Sequence, residues 1–268
     1  MKFKAGPAIT AKKSVAEIAK RLSKSKNVDG AFLTGSHVNK AATKDSDYDL
    51  IIVLKRKPKN LLSAFTYIDE LPADIFFYSV NEVRQLLRTK SVASEVKHGW
   101  LVHWLKDSEI LLDKGGLLRE LKAKRIKITA SEKAAYTAWY RINYNFVQNT
   151  RYFKSGKKQY LEALDLRFLY SLIEMFCGYF NVRQIPWRGE KLSIKYLEQS
   201  DPRYLRLFQK CLATVNRSKK YLLYKQLVER TLATGGGVWR GHVTAIQPEN
   251  TDYTSHNQLI DYWNKLIT

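Results

Sequence analysis

The chain has 268 residues, of which 45% are hydrophobic and 26% charged, a balance typical of globular proteins and unlike that of disordered or fibrous chains. Its 46 Lys and Arg residues outnumber 25 Asp and Glu residues, and the resulting net charge of +21 favours polyanionic partners such as nucleic acid and nucleotides. Cys177 and Cys211 are too few and too far apart for a disulfide framework or a zinc site. This cysteine usage leads us to expect a cytoplasmic protein in a reducing cytosol. No apolar run reaches the roughly 20 residues that a bilayer requires, so no membrane partner is expected.

The first half of the sequence alternates between helical and extended patterns. Apolar spacing predicts helices over 14–24, 60–71, 79–87 and 94–105. Short apolar and β-branched runs predict strands over 31–34, 48–54, 73–78 and 109–112. The helix at 79 begins with a capping box formed by Ser79 and Glu82. These elements predict an α/β domain with a small mixed sheet over residues 1–120.

After Lys127 the pattern changes to helices without strands. Helices are expected over 131–153, 158–180, from 202, 219–232 and 257–267, with N-caps at Ser131 and Asp201. The predicted fold class is therefore α+β, with the mixed-sheet domain followed by an all-helical substrate- and nucleotide-binding domain over 121–268. We expect the active site in the cleft between the two domains.

One stretch of the first half combines residues that carry chemistry. Gly35 and Ser36 follow one predicted strand, and Asp47 and Asp49 begin the next. Side chains two residues apart on a strand share a face, so the two carboxylates converge, and at about 4 Å they repel by roughly 4 kcal/mol at an effective dielectric near 20. A cation is needed to keep both ionised, and oxygen ligands at a strand end suit Mg²⁺. Asp74, at the head of the third strand, completes a carboxylate triad if that strand lies beside the second.

The residues around these acids suit a triphosphate. Gly35 lets the backbone approach an oxyanion, and the amide and hydroxyl of Ser36, at an expected helix start, can donate to phosphate oxygens. Lys191, at the start of a predicted helix in the second half, is a candidate to reach the triphosphate. The alternative is a plain surface turn followed by two acids at a strand start, with Lys191 as an ordinary surface cation.

The order Leu33-Thr-Gly-Ser36, ten residues, Asp47-Tyr-Asp49 and a third acid on a later strand resembles the nucleotidyltransferase signature of the DNA polymerase β superfamily. The resemblance covers about residues 10–113, and the helical half is similar in type to the substrate domains of antibiotic and minimal nucleotidyltransferases. It implies two Mg²⁺ ions bound by Asp47 and Asp49, one of them also by Asp74. It also implies transfer of a nucleoside monophosphate from a nucleoside triphosphate, with ATP expected, and release of pyrophosphate. The chain departs from the family at His37-Val-Asn-Lys40, where Arg-Ala-x-Gly is commoner.

The acceptor is expected to provide a hydroxyl group. The charge of +21 favours RNA, such as a tRNA end, or another anionic acceptor, because the cationic aminoglycosides of antibiotic-modifying relatives would require an acidic groove. A small-molecule acceptor stays open, since overall charge does not report a local pocket. The alternative function is a non-catalytic RNA- or partner-binding module that retains the fold.

Two features of the second half have structural and functional interpretations. Tyr136, Tyr140 and Tyr144 recur at helical spacing, which is typical of a helix core and also of a surface that stacks nucleobases. Gly235-Gly-Gly237 predicts a flexible turn, with a loop that contacts a ligand as the alternative.

Overall fold

The computed structural model describes residues 6–38, 42–44, 46–94, 96–241, 243–247 and 256–267. The chain forms two compact units, Met1–Ile128 and Thr129–Thr268. A mixed sheet occupies the first unit and helices make up the second, so the predicted α+β class is confirmed.

A five-stranded sheet forms the centre of the N-terminal unit. The elements in chain order are α1 (Val15–Lys24), β1 (Val28–Thr34), β2 (Tyr48–Leu54), β3 (Ser63–Ile68), β4 (Leu71–Ser79), α2 (Val80–Leu87), β5 (Ser91–Ala93), α3 (Lys97–Lys106), β6 (Glu109–Asp113), α4 (Leu117–Ala123) and β7 (Lys127–Thr129). The strand order is β3-β4-β2-β1-β6, and β5 pairs separately with β7. Strands β2 and β4 are parallel, whereas the other pairs of the large sheet are antiparallel, which makes the sheet mixed.

Both faces of the sheet are covered, and this explains the apolar run of β2. Leu50 and Ile52 pack on one face in a cluster with Ile18 of α1. Ile51 and Val53 pack on the other face in a cluster with side chains of α2, α3 and α4. Because a strand buried on both sides needs apolar residues throughout, polar side chains collect at the strand ends. The acids of the sequence motif lie at such an end.

The helix predicted over 60–71 is wrong, since residues 63–68 form edge strand β3. This strand pairs antiparallel with β4, from Ser63 opposite Phe76 to Ile68 opposite Leu71. Between the strands, Asp69 and Glu70 take φ values of 50° and 63°. A two-residue hairpin turn with positive φ at both positions matches the twist of the flanking strands, so the pairing with β4 overrides the local helical spacing.

The C-terminal unit is helical. Its elements are α5 (Glu132–Ser155), α6 (Lys158–Val182), α7 (Glu190–Ser200), α8 (Pro202–Ala213), α9 (Arg217–Leu232) and α10 (His256–Ile267). The N-caps predicted at Ser131 and Asp201 are confirmed, because each side chain accepts a hydrogen bond from the backbone N–H three residues on. In the described part of the chain, none of the helices has the length and apolar character that crossing a bilayer requires.

A buried polar network joins three of these helices. Asn149 of α5 donates from its amide to the Ser171 hydroxyl at 3.1 Å and to the Tyr224 hydroxyl at 3.0 Å. Its carbonyl oxygen accepts from Arg167 Nε at 2.6 Å, and Arg167 also donates to Asn145 Oδ1 at 2.7 Å. Because every polar group of Asn149 has a partner, the network fixes the relative positions of α5, α6 and α9.

Replacing Asn149 by alanine should therefore cost about 2–4 kcal/mol of the free energy of unfolding, because Arg167 Nε and the buried Tyr224 hydroxyl each lose a partner. Urea denaturation followed by circular dichroism measures this cost. Gln148→Ala, one residue earlier on α5 and only partly buried, is the control and should cost less than about 0.5 kcal/mol. Equal costs for the two variants would show that the network does not stabilise the unit.

Candidate functional site

Two of the predicted acids meet at one end of the sheet. Strands β2 and β4 run parallel with Asp49 directly opposite Asp74, and on the other side of β2 Asp49 lies opposite Thr34 of β1. Residues that are opposite one another on neighbouring strands point to the same face. The two carboxylates therefore stand side by side, and both residues are partly exposed.

The third acid, Asp47, lies just before β2, which begins at Tyr48. Asp47 is exposed, two residues upstream of Asp49. Over the described ranges, no three His, Cys, Asp or Glu side chains are arranged closely enough to hold a metal ion. The structure thus brings Asp49 and Asp74 together, and Asp47 lies at the surface two residues before Asp49.

A turn at the end of β1 packs directly against Asp49. Gly35 has a φ of 82°, and a Cβ atom built on it would lie 2.6 Å from Asp49 Oδ2. Glycine is required here on two counts, because an L side chain would be strained by the backbone angle and would collide with the carboxylate. The Gly35 α-carbon thus forms one wall of the space around the Asp49 oxygens.

Ser36 is placed differently from the sequence prediction. Residues 36–38 form a turn, closed by a hydrogen bond from the Val38 N–H to the Gly35 carbonyl at 3.3 Å. The helix start expected at Ser36 is therefore wrong within the described residues between β1 and β2. Ser36 lies in this turn, and its contact with a triphosphate stays a prediction.

A stacked aromatic pair joins this turn to the start of β2. The His37 and Tyr48 rings are stacked, with their centroids 3.9 Å apart and an angle of 19° between their planes. The Tyr48 hydroxyl donates to Asp69 Oδ2 at 3.4 Å. Burial raises the pKa of Tyr48 above its usual value, and the negative charge of Asp69 raises it further. The stacked pair therefore connects two segments that flank Asp49: the turn after Gly35, which contacts its carboxylate, and Tyr48, which precedes it in sequence.

Sequence reasoning missed Phe65, an exposed aromatic residue beside the acids. Phe65 lies on edge strand β3 opposite Asp74, and 64% of its surface is exposed. Its ring contacts that of Tyr67 edge to face at 5.6 Å. The β-branched and aromatic content of residues 63–68 is the sequence signal that indicates a strand here.

Lys191 lies in the C-terminal unit. It is exposed and is the second residue of α7, so its predicted position at a helix start is confirmed. Its contact with a triphosphate stays a prediction.

Residues 16–97 match the family model described as Polymerase beta, Nucleotidyltransferase. These residues form a nucleotidyltransferase domain of the DNA polymerase β superfamily. The matched region of this nucleotidyltransferase domain contains the Gly35 turn and all three acids, and it runs from α1 to the first residue of α3.

Similarity to solved structures is more distant. A structure described as a nucleotidyltransferase-like protein from Exiguobacterium sibiricum 255-15 is 12% identical, covering 83% of this chain and 76% of that chain with a TM-score of 0.42. No curated protein matches the chain in sequence. The family match lies wholly within the nucleotidyltransferase domain and does not extend to the helical unit.

Proposed function

We propose that the protein is a Mg²⁺-dependent nucleotidyltransferase that transfers a nucleoside monophosphate from a triphosphate to an acceptor hydroxyl and releases pyrophosphate. ATP is the first candidate for the triphosphate. The observation that carries the proposal is the register of Asp49 with Asp74, beside the Gly35 turn, in a nucleotidyltransferase domain.

The chemistry of the three acids fits Mg²⁺, and the structure places two of them, Asp49 and Asp74, side by side. Asp47, Asp49 and Asp74 supply carboxylate oxygens, which Mg²⁺ prefers while it keeps waters and takes further ligands from phosphates. We propose that Asp47 and Asp49 hold two ions and that Asp74 holds one of them. When bound, Mg²⁺ supplies positive charge that neutralises the transferred phosphoryl group and the leaving pyrophosphate.

The chain's own residues position the reactants. Without a side chain, Gly35 lets the backbone of the turn approach phosphate oxygens, and Ser36 is our candidate to donate its amide and hydroxyl to them. Lys191 of the helical unit is our candidate for a cation on the triphosphate. In the reaction the acceptor oxygen bonds to the α-phosphorus as the bond to pyrophosphate breaks, and Asp74 is our candidate base for the hydroxyl proton.

An anionic acceptor, RNA such as a tRNA end, is the class that the charge supports. Residues 121–268 contain 25 Lys and Arg against 11 Asp and Glu, a net charge of +14 out of the total of +21. A surface of this charge attracts phosphate backbones over a distance of about 10 Å, the Debye length at 0.1 M salt. The two free cysteines are consistent with a reducing cytosol, where we place the reaction.

Incubating the protein with Mg²⁺, α-labelled nucleoside triphosphates and total RNA tests the proposal. Label on RNA, lost when Mg²⁺ is chelated, is the expected result. Pyrophosphate release that requires a small alcohol would change the acceptor to a small molecule. Tight RNA binding without label transfer or pyrophosphate release under any condition would contradict the enzymatic proposal. It would favour the alternative of a non-catalytic RNA-binding module, which is also consistent with the charge of +21.

Phe65 supplies a prediction about the acceptor. Stacking of a nucleobase on an exposed aromatic ring contributes about 1–3 kcal/mol, so Phe65→Ala should raise the KM for RNA about tenfold and leave the KM for the triphosphate unchanged. Steady-state kinetics measures both constants. Phe65→Tyr, which retains the ring, should behave like the unmodified protein. Leu62→Ala, which removes another exposed apolar side chain just before β3, is the matched control. An unchanged KM for RNA in Phe65→Ala would exclude stacking at this position.

A further inference from the structure

A cavity of about 460 Å³ lies within the C-terminal unit. Its volume falls in the range of about 300–1,000 Å³ that is typical of small-molecule sites. Helix α5 forms one side, the segment that follows α6 forms a second, and the glycine loop after α9 forms a third. The side chains and loop residues that determine its chemistry are Glu132, Tyr136, Trp139, Gln184, Thr234 and Gly236.

The glycine loop is a fixed wall of this cavity. The Gly237 carbonyl accepts from Trp139 Nε1 at 2.9 Å and from the Asn143 side-chain amide at 3.2 Å. Asn143 Oδ1 in turn accepts from the Trp239 backbone N–H at 2.8 Å. A Cβ atom on Gly236, whose φ is 89°, would lie 3.2 Å from Trp139 Nε1. Hydrogen bonds to α5 hold the loop at Gly237 and Trp239, directly after this glycine, and the Gly235 N–H donates to the Leu232 carbonyl of α9 before it, so the cavity keeps its shape without a ligand.

The charge of the cavity lining is opposite in sign to the net charge of the protein. Glu132, in the first turn of α5, carries a negative charge, and none of the described residues that line the cavity is Lys, Arg or His. The Tyr136 and Trp139 rings lie 5.4 Å apart at 44° and form an aromatic side. Gln184 and Thr234 add uncharged hydrogen-bonding groups. In a chain of net charge +21, a lining whose described residues hold one carboxylate, two aromatic rings and no cation differs in charge from the rest of the sequence.

We infer that this cavity binds a small organic cation, an amine or guanidinium on a flat or apolar body. Aromatic faces attract such cations through their quadrupoles, and the carboxylate of Glu132 adds direct attraction. Gln184 and Thr234 can orient polar substituents on the same molecule. The inference does not depend on nucleotidyl transfer, because it rests on the helical unit alone and is tested without nucleotide.

Three probes that share a phenyl ring and differ in charge test the inference with the full chain. They are 2-phenylethylamine, 2-phenylethanol and 3-phenylpropionate, each titrated and followed by ligand-observed NMR. The amine should bind about tenfold more tightly than either of the others, since cation–π and carboxylate attractions add. The overall charge of +21 alone would give the opposite order, with the propionate tightest, and that order would overturn the inference. Equal binding of all three probes would also overturn it.

Two pairs of variants locate the binding. Glu132→Gln should weaken amine binding about threefold to fivefold, the effect expected of an exposed ion pair. Glu198→Gln changes the net charge by the same amount on α7, outside the cavity, and should leave the affinity unchanged. Ala135→Leu fills the cavity and should abolish binding, whereas Ala134→Leu, next to it on α5 but not in the lining, should not.

Circular dichroism confirms that each variant is folded. If Ala135→Leu does not fold, the comparison of Glu132→Gln with Glu198→Gln decides alone, because both replace exposed carboxylates. Equal affinities in that pair would mean that the amine binds elsewhere. These measurements use no triphosphate. A negative result would therefore not contradict the proposed transferase activity, and a protein without transferase activity could still bind the amine.

Discussion

Asp49→Asn should lower the rate of nucleotidyl transfer about a hundredfold to a thousandfold, the loss typical when preorganised electrostatic stabilisation is removed from an active site. Asparagine has nearly the same shape as aspartate, so β2 should still pair with β1 and β4. What is lost is the negative charge opposite Asp74 that the proposed Mg²⁺ requires. The rate of label transfer from an α-labelled triphosphate measures the effect.

A matched control separates this loss from a general change in charge. Asp107→Asn makes the same substitution at an exposed position that ends α3 in the same unit, and its rate should stay within about twofold of the unmodified protein, as for a typical surface change. Titration with Mn²⁺, detected by electron paramagnetic resonance, should show binding in Asp107→Asn and weakened binding in Asp49→Asn. If Asp49→Asn retained a tenth of the activity, this carboxylate would have no direct part in the reaction.

Much of this site could be predicted from the sequence because its signals are local. The apolar run that follows Asp49 identifies β2, and the spacing of two residues relates Asp47 to Asp49 without any knowledge of the fold. Whether Asp74 joins the other acids depends on which strand lies beside β2, and the sequence alone does not show this. The structure supplies that neighbour, since β4 pairs with β2 in parallel, and strand order is a property of the whole sheet that no local pattern contains.

The missed parts depend on contacts between distant segments. Leu61, Phe65 and Ile68 recur at helical spacing, and the hairpin turn at Asp69 and Glu70 lacks the Asn or Gly that usually signals positive φ. Local spacing therefore favoured a helix, while pairing with β4 decided in favour of a strand. The stacking of His37 on Tyr48 has the same origin, because it joins residues on different sides of a loop.

Gly35→Ala is the second substitution with a large expected effect, and it tests how Asp49 is held in place. The new methyl group would meet Asp49 Oδ2 at 2.6 Å on a backbone with a φ of 82°, so either the turn or the carboxylate must move. A displacement of about 1 Å in an active site can cost about a hundredfold in rate, and we expect a loss of transfer of that size. The strained backbone should also cost about 1–3 kcal/mol of the free energy of unfolding.

Gly116→Ala separates these two contributions. Gly116 has a φ of 71°, and a Cβ atom there would have no neighbour within 4 Å, so this variant carries the backbone strain without a collision. Thermal unfolding should show that both variants are destabilised, Gly35→Ala the more because of its additional collision, whereas the transfer assay should show a large loss in Gly35→Ala alone. Equal activities would mean that the turn does not position Asp49. A rate loss confined to Gly35→Ala would show that backbone strain, which both variants carry, does not by itself impair transfer, and would support displacement of the Asp49 carboxylate as the cause.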